Sequence, residues 1–309
     1  MKRIGSLAVT VFTIFGPGFG LLAMPGTAHA QVFPADAEWV TLLCEGAPMT
    51  DLYADENGAN AERDIVGDVA APAGMRSADA SFLYMRVRLD QDPAPGGALR
   101  PFSWGLEIDL DGNLTTYEIL ILVDGIGGGS GNVTLYRNTT TTLPNDPNDP
   151  ADSPAVATYS FTTHARSIVA AGSSYGGDPD HFLEFAVPWS DLVPLGLDRD
   201  TKIFVWAASS STSASLNGDF ACHDGMTGDP DLDDIVSDPT TGDPVVDTDG
   251  DGFTDAEELE GGSDPNDPNS VPSSRLEGGG GCAVGGDGAL GFALASLVAA
   301  LAIRRRRGR

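Results

Sequence analysis

The sequence predicts an all-β fold: a single β-sandwich, of the jelly-roll or immunoglobulin-like sort, followed by an acidic linker and an apolar C-terminal helix. Three observations predict it. Short runs with apolar–polar alternation recur from about Ala37 to His223. Turns rich in Ser, Gly and Pro separate them, and no long helical periodicity appears there. Beyond His223 the composition changes, first to acidic residues with Gly and Pro and then to a Gly-rich stretch and an apolar run.

Taken in order, the chain begins with a segment that reads as a secretory signal peptide over residues 1–30. Lys2 and Arg3 form a basic start, Leu7 to Phe15 a short apolar run, and Ala28-His29-Ala30 an A-x-A cleavage site. The sandwich domain is expected over 31–223. In SFLYMRVRL, Leu83, Met85, Val87 and Leu89 share one face and are the core candidates. Phe82, Tyr84, Arg86 and Arg88 share the opposite face. FSWGLEID groups Phe102, Trp104, Leu106 and Ile108, and DLDGN, Asp109 to Asn113, is a turn. The following TTYEILILV is almost wholly apolar, which predicts a central strand buried on both faces. Weaker strands are expected at Val133–Arg137, Val156–Thr162 and Arg166–Ala171. Stronger ones are expected at Phe182–Val187, ended by Pro188, and Lys202–Ser209. LPNDPNDPADSP, 143–154, reads as a surface loop because its proline and aspartate density excludes a strand. Eight or nine short strands in one domain of this size imply the sandwich.

Residues 224–246 read as an acidic linker. The next stretch, DTDGDGFTDAEE, has the spacing of an EF-type calcium loop within a motif over 247–270. Asp247, Asp249, Asp251 and Asp255 fall at loop positions 1, 3, 5 and 9, and Glu258 falls at position 12. Gly252 supplies the sharp turn and Phe253 offers its carbonyl at position 7. Carboxylates this close repel one another, and a divalent cation, Ca2+, holds them together. Residues from Thr254 to Glu260 are expected to form one short helix. A Gly-rich linker over 271–281 leads to a C-terminal segment over 282–309. That segment contains Cys282, an apolar run from Ala289 to Ile303 and an arginine cluster, Arg304 to Arg307 with Arg309. Fifteen helical residues span about 22 Å, and the arginines would stay on the cytoplasmic side.

The formal net charge is −28, and it becomes more negative once the basic residues at the two ends are set aside. Nucleic acid and anionic membrane surfaces are therefore poor partners, while divalent cations are attracted. With Cys282 assigned to the C-terminal segment, Cys44 and Cys222 are the pair left, and an oxidising compartment would join them in a disulfide.

Three resemblances add to this reading. The Gly-Cys element, short apolar segment and arginine cluster resemble the myxobacterial C-terminal sorting tag. That implies processing or modification near Cys282 by sorting machinery and display at the outer membrane or beyond. DTDGDGFTDAEELEGGSDPNDPNS resembles the bacterial relative of the thrombospondin type 3 repeat, in which calcium stiffens short acidic stalks. SFLYMRVRLD, WGLEIDLDG with TTYEILIL, YGGDPDHFLEFAVPWSDL and KIFVWAAS are similar in pattern to DOMON domains and family 9 carbohydrate-binding modules. That implies a sandwich that binds sugar or haem on a sheet face or in a loop-lined slot.

Other chemistry is weaker. Gly172-Ser173-Ser174-Tyr175-Gly176 matches G-x-S-x-G, but Gly177, Asp178 and Pro179 suit a turn and not the helix a nucleophile elbow needs. His164, His181 and His223 show no zinc spacing. Asp109, Asp111 and Asn113 are candidates for a second calcium site, set against a plain hairpin turn. Phe82, Tyr84, Arg86 and Arg88 are candidates for a ligand face, where rings stack on sugars and donors reach hydroxyls. The expected protein is exported, surface-anchored, calcium-binding and non-enzymatic, with a sandwich that binds polysaccharide or extracellular matrix. The alternatives are a structural or adhesive surface protein without a small ligand and, more remotely, a secreted hydrolase.

Overall fold

Alternation along the longest strands divides their side chains between a shared interior and two outer faces. A computed structural model describes residues 31–55, 60–128, 131–223, 230–249 and 253–272. The expected signal peptide, most of the Gly-rich linker and the C-terminal segment with Cys282 lie outside the described residues, as does Asp251.

The described chain is mostly β. Its strands are β1 (Val40–Thr41), β2 (Leu43–Cys44), β3 (Ala47–Pro48), β4 (Gly74–Ala78), β5 (Phe82–Leu89), β6 (Ser103–Asp109) and β7 (Ile119–Asp124). They continue with β8 (Asn132–Arg137), β9 (Ala157–Ser160), β10 (Ala165–Val169), β11 (His181–Pro188), β12 (Lys202–Ser210), β13 (Asp219–Phe220) and β14 (Thr240–Thr241). Three short α-helices join them: α1 (Phe161–His164), α2 (Trp189–Leu192) and α3 (Asp255–Gly261). No helix among the described residues is long and apolar enough to cross a membrane. One antiparallel sheet runs β1-β4-β5-β11-β10. The second runs β13-β12-β6-β7-β8-β9, with β14 also on β12, and β2 and β3 form a separate hairpin.

The two sheets share one apolar cluster. Leu83, Met85, Val87 and Leu89 of β5 and Leu183, Phe185 and Val187 of β11 enter it from one side. Trp104, Leu106, Ile108, Ile119, Ile121, Val123, Ile203 and Val205 enter it from the other. Full burial of one such aliphatic side chain stabilises by roughly 1.5–3 kcal/mol, so this interior is the main source of fold stability. β7 sits between β6 and β8, as its unbroken apolar run predicts. Its Leu120 and Leu122 face away from the shared core into a second cluster with Tyr117, Trp206, Leu216 and Phe220.

Cys44 and Cys222 form the expected disulfide, with Cα atoms 6.0 Å apart. The 143–154 segment is the expected surface loop, with Leu143, Pro144, Pro150, Ser153 and Pro154 exposed, and it is anchored from within. Its Asp149 is buried and binds the N–H groups of Thr142 and Leu143 through Oδ1 at 2.7 and 2.8 Å, while Asn138 donates to Oδ2. Tyr117 Oη donates to the Asp149 carbonyl at 2.7 Å, closing the segment over the second cluster.

One expectation is corrected: the stretch expected as a linker over 224–246 is folded from residue 230 onward. Leu232 and Ile235 are buried in the second cluster, and Trp206 Nε1 donates to the Leu232 carbonyl at 2.7 Å. Asp238 accepts from the backbone N–H of Glu45 and Gly46, tying the segment to the β2–β3 hairpin. β14 then pairs with β12, and Arg76 Nε donates to the Thr241 carbonyl at 3.0 Å. Asp243 is buried against Arg199. Acidic composition masks these apolar anchors in the sequence.

Candidate metal centre

The calcium motif is built onto this folded strap. α3 starts where Thr254 and Glu257 cap each other: the Glu257 N–H donates to Thr254 Oγ1 at 3.2 Å, and the Thr254 N–H donates to Glu257 Oε2 at 2.9 Å. Gly262, at φ 71°, ends it in the left-handed conformation. The helix covers the Thr254–Glu260 expectation with a shift of one residue. Its first turn carries Asp255, Glu257 and Glu258, where the helix dipole favours negative charge.

Asp255 and Glu258 are three residues apart, so they lie on one helix face. Both are buried, at 4% and 0% exposure. Asp255 reaches back across the loop: Thr248 donates to its two oxygens through N–H at 2.6 Å and through the hydroxyl at 2.5 Å. The Asp255 N–H donates to the Val246 carbonyl at 2.7 Å. Asp255 therefore braces the start of the loop in addition to the ligand role read from its spacing. Asp247 and Asp249 lie beside Thr248, and Phe253 immediately precedes the helix cap. Carboxylates and a carbonyl form a hard oxygen donor set, which fits Ca2+ and not a thiophilic metal. The residues that would hold the ion are Asp247, Asp249, Phe253 through its carbonyl, Asp255 and Glu258, with Asp251 outside the described residues. After the helix, DPNDPN folds as two successive Asx turns. Asn266 N–H donates to Asp264 at 3.0 Å and Asn269 N–H to Asp267 at 3.1 Å.

A second acidic group lies at the β6–β7 turn, where Gly112 has φ 79°. One carboxylate oxygen each from Asp109, Asp111 and Glu118 lies within 4.8 Å of the others. Glu118, one residue before β7, joins the expected pair Asp109 and Asp111. Asn113 donates its N–H to Asp111 Oδ1 at 2.9 Å and accepts from Thr115 at its side-chain oxygen, contacts that shape the turn. Burial pushes the Glu118 carboxyl up to about 7. Burial also raises Asp109, against the opposing pull of the Gly112 and Asp111 N–H groups. A third trio, Asp51, Asp55 and Asp219, had no sequence signal, because Asp219 of β13 is far from the other two along the chain.

The candidate ligand face is also corrected. Tyr84, Arg86 and Arg88 are 1%, 5% and 5% exposed and form no open surface. The chain from Gln31 to Trp39 lies against Tyr84 and Arg86, and Pro72 and Ser173 meet Arg88. Arg86 is held between the rings of Trp39 and Phe182, at 4.6 and 3.9 Å from their centroids. Arg86 also pairs with Glu184 at 3.4 Å. Arg88 lies over Phe182 and donates to Ser173 Oγ at 2.6 Å. Tyr84 packs edge-on against Phe33 and donates to Asp79 at 2.7 Å, and Phe82 lies beside Tyr84. These groups recognise one another, so the strand face that points away from the core is itself an inner layer.

The order of oxygen donors, helix cap and Asx turns defines an acidic, calcium-binding repeat class. Residues 247–268 match the bacterial TSP3 repeat, a thrombospondin type 3-like motif. No curated protein and no solved structure matches the chain. The repeat suggests a calcium-binding extracellular protein.

Proposed function

We propose that this chain is an exported, cell-surface protein that displays a two-sheet β domain and uses calcium to fix its C-terminal junction. In this reading residues 1–30 direct export, the sandwich of residues 31–223 carries the folded strap of 230–246, and 282–309 is a membrane-spanning sorting tag processed near Cys282. The carrying observation is the calcium motif itself: its helix α3 follows directly from a strap that is paired, buried and hydrogen-bonded to the main domain. Calcium at this point sets the direction in which the chain leaves the domain. In this reading the role is non-catalytic, and the G-x-S-x-G match at Gly172 to Gly176 leads into a turn and then β11, without the helix a nucleophile elbow needs.

The covered aromatic–arginine layer favours the structural or adhesive reading over carbohydrate binding. The sandwich pattern and its resemblance to family 9 carbohydrate-binding modules support polysaccharide as the second reading. Calorimetry on the full chain tests the calcium assignment. Asp249→Ala with Glu258→Ala should remove the loop's calcium component, and unchanged uptake in that variant sinks the assignment. A glycan array with and without calcium separates the two readings: strong binding to a polysaccharide restores the carbohydrate function.

A further inference from the structure

We propose that the turn between β6 and β7 is a second divalent-cation site, formed by Asp109, Asp111 and Glu118 and independent of the C-terminal repeat. Two observations carry it. The first is the convergence of three carboxylates from two strand ends within 4.8 Å. The second is Asp109 itself, which is fully buried. Its Oδ1 accepts the N–H groups of Asp111 and Gly112 at 2.7 and 2.8 Å, whereas Oδ2 meets no donor among the described residues. A buried carboxylate oxygen without a donor costs free energy unless something positive reaches it.

The partner carboxylates are arranged in the same way. Glu118 Oε2 accepts the Leu110 N–H at 2.8 Å, and Asp111 Oδ1 accepts the Asn113 N–H at 2.9 Å. Each group is therefore oriented through one oxygen and keeps a second. Asp111 and Glu118 also line an open hollow of about 750 Å³, which gives an ion and its waters a route in. The cation on that wall, Arg137, donates to the Pro194 carbonyl at 3.0 Å. Three carboxylates with room for water suit calcium, which takes six to eight oxygens at flexible geometry. Magnesium keeps more of its own water and is the natural competitor.

The rival state is a proton shared between Asp109 and Glu118, which would quiet the pair without a metal. Calcium counting by equilibrium dialysis and native mass spectrometry on the full chain decides between them. Glu118→Gln should bind one calcium fewer than the natural chain, and Asp111→Asn should weaken that ion at least tenfold. Asp249→Ala with Glu258→Ala should keep the Glu118-dependent ion. An equal count in folded Glu118→Gln and the natural chain overturns the site. Should Glu118→Gln lose its fold by circular dichroism, Asp111→Asn decides, because its side chain is exposed; unchanged affinity there also overturns the site. Loss of one ion in Glu118→Gln, with no loss in the Asp249/Glu258 double variant, upholds this site and removes the repeat's. All ions lost in the double variant alone does the reverse.

Discussion

The outer faces of the two sheets bury a glutamate each, and they do so in opposite ways. On the five-stranded sheet, Glu184 is fully buried but meets Arg166 Nε at 2.6 Å and Arg86 at 3.4 Å, beneath Trp39 and Phe33. On the other sheet, Glu107 is equally buried beside the apolar cluster of Leu120, Trp206, Leu216 and Phe220, and neither of its carboxylate oxygens has a hydrogen-bond partner among the described residues. The Leu216 N–H pulls its pKa down, and the nearby Asp149 pushes it up. Burial raises both carboxyls. At Glu184 the arginines pull back, whereas at Glu107 burial dominates and holds the group well above its ordinary 4.5. One face is a charged lattice sealed by rings, and the other is an apolar layer that holds an acid whose ionisation burial opposes. The same residue type thus acts as a hub in one place and as a tolerated defect in the other.

This contrast orders the expected effects. The largest belongs to Glu184→Ala, which removes the buried carboxylate from Arg86 and leaves it the exposed Asp36 at 3.3 Å; chemical denaturation should show a loss of about 3–5 kcal/mol. A loss under 1 kcal/mol would mean that Asp36 and the cation–π contacts suffice to hold Arg86. Next is Trp39→Ala, which opens the lid over Arg86; a loss of about 3 kcal/mol is expected, together with increased exposure of Tyr84 to solvent quenchers. Glu107→Gln has the smallest effect and the opposite sign, with a gain of about 1–2 kcal/mol at pH 8.

The sign for Glu107 follows from proton linkage. Below its ordinary value the carboxyl is protonated whether the chain is folded or not. Above it, the unfolded chain releases the proton while the folded chain holds it, so stability falls as pH rises through that window. Glu107→Gln removes this slope, and thermal melts of the two proteins should converge near pH 4 and separate toward pH 8. Parallel melts across that range would place a compensating partner beside Glu107.

Much of the architecture was legible in the sequence. β5, β6, β7, β11 and β12 follow directly from alternation or from an unbroken apolar run, and they supply the shared core. β1, β2, β3, β13 and β14 are two residues long, too short for any periodicity to register. Alternation also says which way a side chain points relative to the core, but not what lies beyond it. That is why Phe82, Tyr84, Arg86 and Arg88 read as a ligand face although residues 31–39 lie on Tyr84 and Arg86, and Pro72 and Ser173 meet Arg88. The calcium repeat was legible because its six donors fall at set positions within twelve consecutive residues. At the β6–β7 turn the local pair Asp109 and Asp111 was visible, but Glu118 joins only through strand pairing. The acidic strap failed for a compositional reason: Leu232, Ile235 and Val236 are few among many aspartates, yet they decide where it packs.

The disulfide and the strap together determine how the molecule would respond to mechanical tension. Cys44 and Cys222 are separated by 178 residues of sequence. At about 3.5 Å per extended residue, the bond keeps roughly 600 Å of contour length from being paid out under load. A pull from the C-terminal side would meet α3, β14 and the Asp238 stitch first, and then stop at the covalent bond. Force would thus spend itself on the strap while the sheets between the two cysteines stayed closed, and reduction would release the remainder as a single long extension.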